Sequence, residues 1–178
     1  MNVTLHTDDG YFQLRAAAIC IKDNCVLLHH AVGDTHWSLP GGRIAIGEDS
    51  ATTLLREMAE ELHTIATVDR LVATVELCDR GLDGKVFHEV AFYYLIQLPD
   101  LALRHDPFIG PEVSVPVEFW WCPRPALDSI DIVPSSIRTL IASLPSTYVH
   151  IHAQQIEYAL QREHVVPIND AAYTPPHR

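Results

Sequence analysis

The sequence has little positive charge. Its 178 residues hold 12 lysines and arginines against 23 acidic residues, a formal net charge of −11, and the basic residues gather into no stripe. Binding a nucleic-acid polymer without regard to sequence needs such a stripe to displace counterions from phosphates, so this composition argues against that class. The N-terminus has no basic flank followed by an apolar run, and no secretory signal is expected. No apolar stretch approaches the ~20 residues of a membrane helix, and no membrane partner is expected. Cys20, Cys25, Cys78 and Cys122 form no CxxC pair and no zinc-like spacing. They read as reduced thiols in a cytoplasmic protein rather than as a disulfide framework. There is no internal repeat and no low-complexity tract. At 48% hydrophobic and 20% charged, the composition is that of a globular chain long enough to bury a core. One domain is expected over residues 1–145, with a C-terminal extension over 146–178 packed on the same domain.

Short apolar runs alternate with turns along the chain. Arg15–Ile21 and Cys25–His29, split by Lys22-Asp23-Asn24, predict a hairpin. Trp37–Pro40 reads as extended and ends at Gly41-Gly42. Leu71–Leu77 and Lys85–Leu98 predict strands joined by the turn Gly81-Leu82-Asp83-Gly84. Pro99–Pro111 reads as a loop and Glu118–Trp121 as a strand. Pro134–Leu144 predicts a helix with Ile137, Leu140, Ile141 and Leu144 on one face. Tyr148–Ala153 alternates like a strand, Gln154–Arg162 suits a helix, and Val165–Arg178 reads as a loose tail.

The segment Ser50–Leu62 carries the chemistry. It predicts a helix started by Asp49 or Ser50, with Ala51, Leu54, Leu55, Met58 and Leu62 as one apolar stripe. The other face holds Arg56, Glu57, Glu60 and Glu61. Acidic helix faces are commonly just solvated, but this one breaks two local rules. Like charges three or four residues apart cost ~0.2–0.5 kcal/mol per pair, and anions in the last turn oppose the helix dipole by ~0.3–1 kcal/mol each. Such local conflict marks functional sites, and a divalent cation would reverse both penalties. Carboxylate oxygens suit Mg²⁺ or Mn²⁺ rather than zinc. Gly41-Gly42 lets the backbone bend closely past the helix, where a freed carbonyl could complete the coordination.

Gly42, five residues, Glu48, seven residues, then Arg56-Glu57-Met58-Ala59-Glu60-Glu61 closely resembles the signature of the Nudix hydrolases, and Trp37-Ser38-Leu39-Pro40-Gly41 resembles its usual lead-in. The resemblance implies an α/β/α sandwich with a mixed β-sheet and a catalytic helix at about residues 50–62. It implies Mg²⁺-dependent hydrolysis, with Mn²⁺ as a substitute, of a nucleoside diphosphate linked to another moiety. The alternative is a Nudix-like domain that binds a nucleotide and regulates without turnover. By resemblance Glu57, Glu60 and Glu61 are the metal ligands, joined by the Gly42 carbonyl, and Glu57 is the favoured general base. Arg56 holds a glutamate in position, with Glu48 and Gly41 in support. A further acid is sought among Glu118, Glu112 and Glu89, and phosphate contacts among Arg15, Arg43 and Lys85. The expected partner is a nucleotide-derived small molecule, and the expected assembly a monomer or homodimer. His29-His30 and His150-Ile151-His152 are assigned structural or solvated roles, since no third ligand for the second pair is evident. The chain departs from the signature at Leu62-His63-Thr64, where the family has glycine and an aliphatic residue. Histidine tolerates positive φ and suits a helix C-terminus, so the helix is still expected to end at Leu62 or His63.

Substrate markers of the family are absent. No Ser-Gln-Pro-Trp-like array resembling that of the NADH pyrophosphatases follows the signature. No proline lies between Pro40 and Pro99, unlike ADP-ribose-type members, and no tyrosine follows until Tyr93, unlike diadenosine-polyphosphate-type members. A nucleoside triphosphate or another nucleoside diphosphate derivative remains.

Overall fold

The computed structural model describes residues 1–80, 84–111, 116–154 and 164–167. The chain runs β1 (Thr4–His6), β2 (Gly10–Ile19), β3 (Ile21–Lys22), β4 (Cys25–Ala31), β5 (Gly41–Arg43), α1 (Ser50–Leu62), β6 (Thr67–Arg80), β7 (Val86–Gln97), β8 (Phe108–Ile109), β9 (Val117–Pro123), a 3₁₀ turn (Arg124–Ser129), α2 (Ser136–Ala142), β10 (Val149–Gln154) and β11 (His164–Pro167). The larger sheet has the order β1-β2-β7-β6-β10-β11, with β5 also paired to β2. It is mixed, because β2 runs parallel to β7 and β10 parallel to β6, while the other pairs are antiparallel. The smaller sheet, β3-β4-β9-β8, is antiparallel.

Strand alternation divides the core in two. In β2, Ala17 and Ile19 join Ile137, Leu140 and Ile141 of α2, whereas Ala16 and Ala18 join Leu54, Met58 and Leu62 of α1. The same split in β4 sends Val26 and Leu28 to the α2 side and Leu27 to the α1 side. A helix thus covers each face, and the fold is an α/β/α sandwich with a mixed sheet.

The expected hairpin closes with Asp23 and Asn24 at positive φ, 47° and 61°, the backbone that a two-residue loop between twisted strands requires. Residues 81–83 of the expected Gly81–Gly84 turn lie outside the described residues, yet β6 and β7 pair antiparallel up to Arg80 and Val86. The expected helix over Gln154–Arg162 falls almost wholly outside them too. The loop reading of Pro99–Pro111 needs amending, since β8 pairs there with β9. The loose-tail reading needs the same, since His164–Pro167 forms β11 against β10. Each is a strand too short to carry its own pattern and exists through its partner. The apolar stripe of α1 is also narrower than read. Leu55 is 39% exposed, and Thr53 and Glu61 are buried beside Leu54, Met58 and Leu62. The helix is rotated so that a carboxylate, rather than Leu55, faces inward.

Candidate metal and catalytic centre

Asp49 starts α1 by accepting from the backbone N–H of Thr52 at 2.9 Å and from its hydroxyl at 2.8 Å, which satisfies donors the helix leaves open. Ser50 instead bonds the Tyr94 hydroxyl at 2.7 Å. The helix ends after Leu62, and His63 takes the left-handed conformation, φ 49° and ψ 38°. The missing glycine therefore does not extend the helix, and its acidic face keeps its length.

Arg56 organises that face. Its Nε and Nη2 donate to the two oxygens of Glu48 at 3.0 and 3.1 Å, a fork-to-fork pair, while Nη1 donates to Glu57 at 2.8 Å and Glu60 at 2.9 Å. Glu48 also accepts from the Thr53 hydroxyl at 2.8 Å and the Ala45 N–H at 3.4 Å. Arg56 first, then Thr53, hold its carboxyl down to about 2. Glu57 moves the opposite way: burial raises it, with Glu61 and Glu60 adding, against the pull of Arg56.

Gly42 has a specific reason to be glycine. A Cβ there would collide with the Glu57 carboxylate, which rests against the β5 backbone. Gly41 has φ 142°, and a Cβ on it would strike the Ala16 carbonyl of β2. The two glycines thus bring β5 tight against β2 and leave a cradle for Glu57.

Glu61 lies apart from the Arg56 network. It is 8% exposed, and its Oε2 has no hydrogen-bond partner among the described residues. His29 Nδ1 on β4 stands 3.6 Å from it and is equally unpartnered. Arg15 crosses from the larger sheet to donate to His29 Nε2 and to the Leu39 carbonyl, both at 3.2 Å. Arginine only donates, so the ring proton sits on Nδ1, facing Glu61. Burial, with Arg15 and His30 adding, pulls the His29 pKa down against the raising influence of Glu61.

These features fit a hard divalent cation. The donors are all oxygen, Glu61 is buried with one oxygen unpartnered among the described residues, and an orphaned carboxylate oxygen costs ~1–3 kcal/mol until a partner arrives.

The other expected residues are dispersed. Glu118 pairs with His30, Oε2 to Nε2 at 2.9 Å; His30 stacks on Trp37 with centroids 4.0 Å apart, on the face opposite His29. Glu89 is buried on β7 and accepts from Gln13. Glu112 lies outside the described residues. Arg15 is engaged with His29, as above. Arg43 is exposed and directly follows Gly42. Lys85 precedes Val86, which pairs with Gly10, six residues from the Ala16–Gly42 row and hence ~20 Å along the strand. His29 has a structural role, but spacing alone does not place it beside Glu61. The signal that does is its alternation with Leu27 in β4, which turns both to the α1 side.

The NUDIX domain family model matches residues 12–143. The chain therefore belongs to the Nudix family and stands among its pyrophosphohydrolases. No curated protein matches it significantly. Among solved structures it is similar to a mutator MutT protein from Bacillus halodurans (19% identity over 88% of this chain and 99% of the other, TM-score 0.57). It is also similar to the ORF135 protein of E. coli (23%, 76% and 95%, TM-score 0.51) and to an ADP-ribose pyrophosphatase from Streptococcus suis (16%, 79% and 98%, TM-score 0.51). These likenesses establish the shared fold.

Proposed function

We propose that this protein is a Mg²⁺-dependent hydrolase, with Mn²⁺ as a substitute, that cleaves the pyrophosphate bond of a nucleoside diphosphate linked to another moiety. The observation that carries the reading is the arrangement of carboxylates. Glu57 sits in a cradle only glycine leaves open, Glu48 and Arg56 brace it, and a buried Glu61 oxygen has no partner among the described residues. Glu57, Glu60 and Glu61 would hold the cation, with the Gly42 carbonyl beside them. When bound, the cation neutralises phosphate oxygens and lowers the pKa of a bound water. Glu57 takes the proton of the attacking water, and burial supports this by raising its affinity for that proton. Arg56, bonded to Glu48, Glu57 and Glu60 together, keeps the carboxylates aimed. His29, bonded to Arg15 on its other side, stands 3.6 Å behind Glu61. Exposed Arg43 is placed to meet a phosphate. The four unpaired thiols suit the cytoplasm.

Incubation with Mg²⁺ and a panel of nucleoside triphosphates and nucleoside diphosphate derivatives tests the reading. Release of a mononucleotide, or of pyrophosphate from a triphosphate, is expected for at least one compound and is expected to stop on chelation. Tight binding of one compound with no turnover of any would favour the regulatory alternative.

A further inference from the structure

His150 and His152 have no third ligand in sequence, but the fold brings them one. Strand β10 runs parallel to β6 with His152 opposite Glu76 and His150 opposite Thr74, so both rings share the Glu76 face while Ile151 between them enters the core. Glu76 Oε2 stands 3.3 Å from His150 Nε2 and 3.5 Å from His152 Nδ1. The ligand atoms of the three residues all lie within 4.8 Å of one another. A tetrahedral ion with bonds of ~2.0–2.1 Å holds its ligands about 3.3 Å apart, close to the two spacings from Glu76 Oε2 to the ring nitrogens. The other carboxylate oxygen, Oε1, lies 3.1 Å from His88 Nε2 on β7. Phe12 packs edge-on against the His88 ring, with centroids 5.2 Å apart. The side chains of Glu76, His150 and His152 are 29%, 26% and 55% exposed, so an ion can reach them.

We propose that Glu76, His150 and His152 form a second metal site, separate from the acidic face of α1, that takes a borderline divalent d-block ion, Zn²⁺ by its geometry. Two imidazoles and one carboxylate make a donor set that suits zinc and disfavours Mg²⁺. His88 orients the carboxylate by holding the oxygen turned away from the two ligand histidines, the outer partner that metal-bound groups commonly have. The fourth position faces solvent and is left for water. Without a metal, three imidazoles must share two carboxylate oxygens; an ion replaces that competition with bonds. His150 and His152 lie beyond residues 12–143 matched by the family model, so the site depends on the strand that follows the family domain. Bound zinc would clamp β10 to β6.

Calorimetric titration of the full chain with Zn²⁺, in an excess of Mg²⁺, tests this. Wild type is expected to bind one tight equivalent, and Glu57→Gln the same. The double variant His150→Ala/His152→Ala is expected to bind more weakly by at least the ~10–100-fold that loss of even an outer partner costs. That variant removes two residues of a paired strand, so Glu76→Gln, which keeps the side chain's shape, provides an independent measure and is expected to lose the tight equivalent too. No tight zinc in wild type, unchanged binding in Glu76→Gln, or loss of the tight equivalent in Glu57→Gln would overturn the proposal.

Discussion

A methyl group at residue 42 would occupy the space of the Glu57 carboxylate, so Gly42→Ala tests whether that contact matters to the chemistry. The variant is expected to fold, with overpacking costing ~1–3 kcal/mol, and to lose at least ~100-fold in turnover because misplaced catalytic groups cost about that much. Steady-state kinetics beside a thermal melt separates the two effects. Glu48 is tested through pH. Its carboxyl sits at about 2 instead of its ordinary 4.5, chiefly because of Arg56. Between those values the unfolded chain holds a proton that the native state does not. This contribution to stability is therefore complete above about 4.5 and lost as pH falls towards about 2. Glu48→Gln keeps the acceptor oxygen but cannot titrate there. Urea unfolding at several pH values is expected to show a shallower loss below about 4.5 in the variant than in wild type.

At the scale of elements, α1 stops because His63 turns into the left-handed region, φ 49°, where a side chain costs ~1–2 kcal/mol and glycine almost nothing. His63→Gly is expected to raise stability by about 1 kcal/mol after the extra freedom it gives the unfolded chain is deducted. Chemical denaturation measures this directly, and no gain would mean that the histidine ring contributes something glycine lacks. The helix and its signature residues were legible in sequence because they are local. Gly42, Glu48, Arg56, Glu57, Glu60 and Glu61 lie on β5, the turn after it and the helix that follows, one short stretch of chain, so spacing alone groups them. The inward rotation of Glu61 was not legible, because it depends on what β4 presents to the helix, namely His29. The pairing of Glu118 with His30 joins residues 88 positions apart. The histidines around Glu76 come from two strands, β7 and β10, that flank β6, and register, not spacing, unites them.

For the whole molecule, a net charge of −11 opposes the approach of any phosphorylated substrate unless a cation lies between. Five acidic residues, Glu48, Asp49, Glu57, Glu60 and Glu61, fall between Gly42 and Thr64, against two basic ones, Arg43 and Arg56. The sandwich puts this excess on the α1 side, beside the two glycines of β5. Part of the charge that argues against a nucleic-acid polymer thus sits where it can recruit the ion that makes a diphosphate approachable. The central claim is that Glu57 serves this chemistry and not the fold. The measurement that tests it most directly is the rate of mononucleotide release from the best substrate of the panel, at saturating Mg²⁺, for wild type and Glu57→Gln. A fall of at least ~100-fold, the least that general acid–base catalysis contributes, with an unchanged circular dichroism spectrum, is the predicted result. Near-normal turnover in Glu57→Gln, or turnover by wild type that survives chelation of the metal, would contradict it.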